Sequence, residues 1–229
     1  MRPVRVAVVI PAHNEESSLP MVLDAIPRAL VEEVVVVDNA STDGTAAAAR
    51  ARGATLVTES LKGYGAACLR GIDYLAAKRP DVVIFLDGDF SDHPEEMRHL
   101  VEPIRRGECD LVVGSRTLGR SEPGALRPQA RAGNWLATRI LRLLYGGRFT
   151  DLGPFRAIRF DRLLELGMRD RGFGWTVEMQ VRALKGGLKT AEVPVSYRRR
   201  VGVSKITGTV GGSLKAGLKI LWTLARHLA

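Results

Sequence analysis

Cysteine is scarce in this chain of 229 residues: Cys68 and Cys109 are the two it has. They form no CxxC or Cys/His spacing, which excludes a disulfide framework and a Cys/His zinc site and leaves two small buried hydrophobes. No uncharged stretch of about 18 residues occurs, so no ordinary membrane-spanning helix is expected. Arg5 interrupts the apolar N-terminal run and no small-residue cleavage site precedes Glu15, so no secretory signal is read. The expected location is therefore a reducing cytoplasm. Aromatic residues make up 6% of the chain, and the Arg-rich stretch 115–133 contains none. A nucleic-acid binder that stacks bases between arginines is thereby disfavoured. What is present, 45% hydrophobic and 26% charged residues with 24 Gly and 11 Pro, describes one folded core rather than a disordered or collagen-like chain.

Charge of one sign is missing from the end of the chain. No acidic residue follows Glu192, and residues 98–229 carry a net charge of +15 against −6 for residues 1–97. The basic half calls for an anionic partner, whether a phosphorylated substrate, an anionic membrane or nucleic acid.

The first 115 residues alternate β-branched runs with helical patterns. Val4–Ile10, Val34–Asp38, Ala54–Thr58, Val82–Asp87 and Asp110–Gly114 read as strands, several as unbroken Val/Ile/Leu runs suited to parallel strands covered on both faces. Helices are expected over about 16–30, 42–52, 63–79 and 94–107, with starts at Ser41–Thr42 and at Pro94. This is an α/β fold with a mostly parallel central sheet, whose ligand belongs beyond the carboxyl ends of the strands. Ser115–Gly133 reads as a mobile loop, followed by a helix over 134–145, added strands at 155–160 and 190–195, and helix 176–185 between them.

Polar groups collect at three strand ends. Asp87-Gly88-Asp89 closes an apolar strand with two carboxylates at i and i+2, a pattern that suits Mg²⁺ or Mn²⁺ or, alternatively, a plain Asp-Gly turn. Pro11-Ala12-His13-Asn14-Glu15 follows the first strand and Asp38-Asn39-Ala40-Ser41-Thr42-Asp43-Gly44 the second. Lys62-Gly63-Tyr64-Gly65 begins a helix with glycines suited to close backbone approach or to a diphosphate. It lacks the GxxxxGKS or GxxxxGKT pattern, and no GxGxxG follows the first strand.

The order IPAHNEE, VVVVDNASTDGT, KGYGAACLRG, FLDGDFSDHP, VVGSR, TDLGPFRAI, GFGWTVEMQVRA and EVPVSYRRRVGVSK, over about residues 4–207, resembles the family-2 glycosyltransferases of the GT-A fold. Within them it is most similar to the polyprenyl- and dolichyl-phosphate sugar synthases. The resemblance implies a domain over 1–207, with a nucleotide-sugar half (1–115) and an acceptor half (116–207), and a tail at 208–229. It implies a GDP- or UDP-linked hexose donor and a polyprenyl monophosphate acceptor, or a soluble hydroxyl acceptor in the alternative. Pro11, His13, Glu15, Asp38 and Lys62 then line the nucleotide, while Asp87 and Asp89 hold the ion and diphosphate. Arg116, Arg199 and Lys205 act on donor diphosphate and acceptor phosphate, joined by Arg127 or Arg131. The sequence departs from the pattern at His13, where a tyrosine is usual, at Asp38-Asn39 for Asp-Asp, and at Gly153-Pro154-Phe155-Arg156 for SGFR.

An acceptor hydroxyl would need a base, for which Glu178 is the candidate, unless it only pairs with Arg182 at i+4. An acceptor phosphate, already anionic, would not. In the tail, Leu214, Leu218, Leu221, Ala225 and Leu228 share one helical face and Lys215, Lys219, Trp222 and Arg226 another. Such a helix packs on its own domain or lies on the inner face of an anionic membrane as a peripheral attachment, with a homo-oligomer as a further option.

Overall fold

A computed structural model describes residues 4–202 and 210–227 of the chain. The strands are β1 (Val6–Ala12), β2 (Glu33–Asp38), β3 (Thr55–Thr58), β4 (Val82–Phe85), β5 (Leu111–Ser115), β6 (Arg156–Arg159) and β7 (Thr190–Pro194). They form one seven-stranded sheet in the order β3-β2-β1-β4-β6-β5-β7. All neighbours are parallel except β6, which lies antiparallel between β4 and β5, pairing Ile84 with Ala157 and Val112 with the same residue. The continuous apolar runs follow from cover on both faces. Val8, Ile10, Val36 and Ile84 pack on one layer with Leu19, Leu23, Met97 and Leu100. Their alternates Val9, Val35, Val37 and Phe85 pack on the other with Cys68, Ile72, Leu75 and Trp175. Cys68 and Cys109 are free and buried.

The helices are α1 (Leu19–Ala25), α2 (Thr45–Ala51), α3 (Tyr64–Ala76), α4 (Met97–Arg105), α5 (Pro128–Tyr145), α6 (Phe160–Leu166), α7 (Trp175–Lys185) and α8 (Val210–Arg226). Several boundaries differ from the sequence reading, each for a local reason. α1 is short because Ile26 is extended ahead of Pro27. α2 begins at Thr45 rather than at Ser41–Thr42, because the Asp43 carboxylate accepts the Thr45 N–H at 3.0 Å. α5 begins at Pro128, six residues before the expected start, with the proline at a position where a missing N–H costs nothing. Residues 116–127 remain irregular but are tied down. Ser121 bridges to Tyr197, and Glu122 N–H donates to the Tyr197 carbonyl at 2.8 Å.

The tail helix is packed on the domain. Leu224 joins a core with Ala137 and Leu141 of α5 and Val177 and Val181 of α7, flanked by Ile220. Tyr145 Oη donates to the Leu224 carbonyl at 2.7 Å. The inward positions are thus 220, 223 and 224, and the expected apolar-face residues Leu221 and Ala225 point outward. The side chains at 214 and 218, and residue 228, lie outside the described residues.

Gly65 shows why the α3 start is glycine-rich. A Cβ there would lie 2.0 Å from the Asp170 carbonyl. The N–H groups of Gly65 and Ala66 donate to the carbonyls of Gly172 and Arg171 at 3.1 and 2.9 Å. Of the two sequence readings, close backbone approach is the one realised, because these helix-start donors are already occupied.

Candidate active site

Beyond the carboxyl end of β4 the chain turns through Asp87-Gly88-Asp89-Phe90-Ser91-Asp92. Asp89 is buried, and its Oδ1 accepts both the N–H and the hydroxyl of Ser91, at 2.9 and 2.5 Å. Its Oδ2 lies 3.1 Å from Arg200 Nη1. Arg200 Nη2 meets Glu15 Oε1 at 3.0 Å, so one guanidinium bridges the carboxylates that follow β4 and β1. Asp87 Oδ1 and Asp92 Oδ1 are buried with no hydrogen-bond partner. Burial, with the neighbouring charges of Asp89 and Asp92, raises the Asp87 carboxyl well above its ordinary value. Burial and Asp89 push Asp92 up to about 7. Three acids crowd one turn, with Arg200 on Asp89 and the charge of Arg116 acting on the other two.

These groups face a cavity of about 310 Å³ lined by Pro11, His13, Glu15, Asn39, Lys62, Asp87, Asp89, Phe173 and Arg200 among others. His13 Nδ1 pairs with the Asn39 carbonyl at 2.8 Å, which holds the ring in the wall. Asp38 is not in the lining. It ends β2, and its Oδ1 accepts the Ser41 N–H at 3.1 Å, closing the turn. Asn39 explains one departure from the family pattern. Its Nδ2 donates to the carbonyls of Glu59 and Leu61 at 3.1 and 2.7 Å, and its Oδ1 accepts Gly63 N–H at 2.8 Å. An aspartate has no donor for those carbonyls. The amide thus fixes the loop that carries Lys62.

A second, larger cavity of about 810 Å³ is lined by Arg116, Arg131, Arg139, Arg142, Asn134 and Trp135, with Glu122 and Asp151. Arg116 makes a fork to Asp151 (Nε to Oδ2 2.8 Å, Nη2 to Oδ1 2.7 Å), and its N–H also donates to Oδ2 at 2.8 Å. Its guanidinium stacks over the Tyr197 ring with 5.0 Å to the centroid. Although burial opposes the charge, Asp151 raises the Arg116 pKa, so the cation is permanent. Glu192 of β7 fixes Asp151 in turn, accepting its N–H at 3.0 Å and the N–H and hydroxyl of Thr150. Arg116 also acts electrostatically on Asp87 and Asp92, so the fixed cation of the larger cavity is felt at the carboxylate turn.

The sequence-predicted cations are sorted by the structure. Arg131 lines the larger cavity, whereas Arg127 is the extended residue just before α5 and is not in its lining. Arg199 turns away from the carboxylates: its N–H donates to Glu122 Oε2 at 2.8 Å and its Nε to the Pro123 carbonyl at 2.7 Å. Its neighbour Arg200 is the one that reaches Asp89. Lys205 lies outside the described residues. Asp151, Glu192, Arg139 and Arg142 were not singled out from the sequence, and Arg200 was read only as part of the basic run 198–200, a solvated face in the plainer reading. The one signal for them was that Asp151, Glu192 and Arg200 sit inside motifs quoted for the resemblance.

Glu178 is a structural residue. Buried in α7, it accepts the N–H groups of Arg169 and Asp170 and pairs with Arg182 Nε at 2.8 Å, so of its two readings the ion pair holds. Trp175 is fully buried edge-on against Phe85 at 4.6 Å, a core residue, while Trp222 is 50% exposed.

The carboxylate turn suits a hard divalent ion: its donors are oxygens, one buried oxygen of Asp87 is orphaned, and a guanidinium stands on Asp89 Oδ2. Among the described residues no set of three or more histidine, cysteine or carboxylate side chains is arranged to hold an ion alone. A diphosphate and water would have to complete its shell.

Comparison with known proteins agrees with this geometry. The model of the family described as glycosyl transferase family 2 matches residues 7–167. An uncharacterized glycosyltransferase of Mycobacterium tuberculosis is 40% identical over 213 residues, covering 92% of this chain and 94% of that protein. An undecaprenyl-phosphate mannosyltransferase of Micrococcus luteus is 32% identical over 224 residues, 91% of this chain and 90% of its own. Glucosyl-3-phosphoglycerate synthase of M. tuberculosis, solved with Mn²⁺, uridine diphosphate and phosphoglyceric acid, superposes with a TM-score of 0.78 at 25% identity, over 99% of this chain and 79% of that one. A family model matched over residues 7–167 and likeness along nearly the whole chain to a glycosyltransferase and to a solved synthase leave one assignment: this chain belongs to glycosyl transferase family 2 and is a glycosyltransferase of the GT-A fold.

Proposed function

We propose that the protein moves a hexose from a GDP- or UDP-linked donor to a polyprenyl monophosphate at a membrane surface. The observation that carries this reading is the position of the arginine-lined cavity beside an exposed apolar face. Leu136 and Leu143 of α5 are two turns apart on one side of the helix with Trp135 next to them in the chain, and Trp135 is 60% and Leu143 82% exposed. Trp222 of α8 is exposed as well, and cations lie over both indoles: Arg139 at 5.3 Å from the Trp135 centroid, Lys219 at 4.4 Å and Arg226 at 5.1 Å from that of Trp222. Each exposed indole thus carries its own cation, and tryptophan with arginine or lysine is the composition of an interfacial anchor. Among the described residues no helix is long and apolar enough to cross a membrane, so the attachment proposed is peripheral.

In this reading the smaller cavity takes the donor and the larger one the acceptor phosphate. Asp87 and Asp89 would hold a Mg²⁺ or Mn²⁺ ion, which supplies Lewis-acid neutralisation of the departing diphosphate. Lys62 adds positive charge in the same cavity. Arg116, fixed by Asp151, holds the acceptor phosphate with Arg131, Arg139 and Arg142. A phosphate monoester is already anionic at pH 7, so its oxygen attacks the anomeric carbon without a general base and the configuration inverts. The structural commitment of Glu178 fits that economy. The mannosyltransferase of M. luteus, whose name gives a polyprenyl phosphate, supports the lipid acceptor.

The second reading is a soluble phosphorylated acceptor, because glucosyl-3-phosphoglycerate synthase shares the fold and was solved with phosphoglyceric acid. Incubation with radiolabelled UDP- and GDP-hexoses separates the two. The expected product partitions into organic solvent and releases the label in mild acid. Label that stays in the aqueous phase with phosphoglycerate as acceptor would overturn the lipid assignment.

Membrane attachment has its own test. Because α8 supplies Leu224 to the core, deleting the tail would unpack α5 and α7, so surface variants are the cleaner probe. Trp135→Ser with Leu143→Ser should reduce co-sedimentation with anionic vesicles about tenfold or more, from the apolar area lost. Binding equal to the parent protein would reject the α5 face.

A further inference from the structure

Residues 197–202 form a strap between the two cavities. Tyr197 N–H donates to the Arg120 carbonyl at 2.8 Å, and Arg198 N–H to Ser91 at 2.9 Å. Val201 N–H donates to the Asp89 carbonyl at 3.0 Å. The three consecutive arginines fan apart. The Arg198 guanidinium lies 3.9 Å from the centroid of Phe90, whose φ of 62° is the left-handed conformation disfavoured for a bulky residue. Arg199 grips the acceptor loop at Glu122 and Pro123, both in the wall of the larger cavity. Arg200 grips Asp89 and Glu15.

Where the Arg200 guanidinium sits matters most. Asp89 Oδ1 is taken by Ser91, which leaves Oδ2 as the oxygen a cation would use, and that is the oxygen Arg200 holds. Arg200 comes in from the solvent side, its side chain 26% exposed against 10% for Asp89. Its Nε is buried without a partner, so the head group is anchored by the two carboxylates and not by a full set of acceptors. An ion on Asp89 and a guanidinium on the same oxygen repel each other, so one must yield.

We propose that Arg200 is a tethered cation that competes with the divalent ion for Asp89, so that the ion's arrival frees the 197–202 strap and, through Arg199, loosens the acceptor loop at 120–124. Donor-side occupancy is thereby reported to the acceptor cavity through the chain's own backbone. The inference rests on Asp89 being an ion ligand, as proposed above.

The test uses the full chain, Mn²⁺ alone as probe and electron paramagnetic resonance to count free ion, with no nucleotide present. Arg200→Gln should bind Mn²⁺ about tenfold more tightly than the parent protein, the gain expected when a competitor that occupies the site about nine-tenths of the time is removed. Arg200→Lys, which keeps one charge but cannot bridge two carboxylates, should fall between them. Equal or weaker binding by Arg200→Gln in a variant of unchanged melting temperature overturns the competition. Asp89→Asn should lose this Mn²⁺ site. If it binds as the parent does, or if no form binds, the ion-ligand reading fails instead. Hydrogen exchange over 118–126 tests the link: Mn²⁺ should speed it in the parent protein, and in Arg200→Gln it should be fast from the start. An exchange rate in the parent that ignores Mn²⁺ overturns the coupling to the acceptor loop.

Discussion

Asp89→Asn should lower the rate of sugar transfer by about 10³-fold or more, equivalent to roughly 4 kcal/mol of lost transition-state stabilisation. The substitution keeps the shape of the side chain and its bond from Ser91, so the loss would come from charge rather than from collapse of the turn. The same variant should lose the Mn²⁺-dependent rise in melting temperature that a sugar nucleotide gives the parent protein, since a ligand stabilises only as far as it binds the folded state. A metal-dependent shift that survives in Asp89→Asn would move the ion, and the donor with it, to another part of the molecule. The carboxylates explain why the effect should be large. Asp89 Oδ2 is the carboxylate oxygen that already meets a cation in the structure, 3.1 Å from Arg200 Nη1, so the charge removed is one the turn uses.

The second large effect is expected at the Arg116–Asp151 fork. Asp151→Ala leaves a permanently charged, largely covered guanidinium (14% exposed) without its partner, at a cost of about 3 kcal/mol. For a chain of this size the melting temperature should fall by roughly 10 °C. Transfer should fail too, because the cavity proposed for the acceptor loses its fixed cation. Replacing both partners, Arg116→Met with Asp151→Leu, distinguishes structure from function. The double variant should recover much of the lost stability, since two apolar groups leave no stranded charge, and should remain inactive. A double variant that is stable and active would remove Arg116 from the acceptor site.

Much of this architecture is legible in the residues because it rests on short-range physics. Unbroken valine runs declare strands covered on both sides, and an apolar strand that stops at Asp-Gly-Asp places its acids beyond the sheet. The arginine fan is different. Arg198, Arg199 and Arg200 are alike in sequence, and only the extended path of the strap sends one to Phe90, one to Glu122 and one to Asp89. Arg116 was legible but its partner was not, since Asp151 arrives from a turn 35 residues away. The tail helix misled for a related reason. Its periodicity defines more than one apolar stripe, and contact with α5 and α7 chose the one containing Ile220 and Leu224.

The antiparallel insertion of β6 has a consequence for how the chain comes off the ribosome. β5 precedes β6 in synthesis yet touches β4 only through it. A nascent polypeptide that has just delivered β5 therefore holds a four-stranded sheet whose open border is Val82-Val83-Ile84-Phe85, an apolar edge ready to recruit a stranger. The electrostatic division of the chain near residue 97 thus does not mark a place to cut it. Anyone splitting this enzyme for complementation or fusion should keep residues 156–159 with the first half.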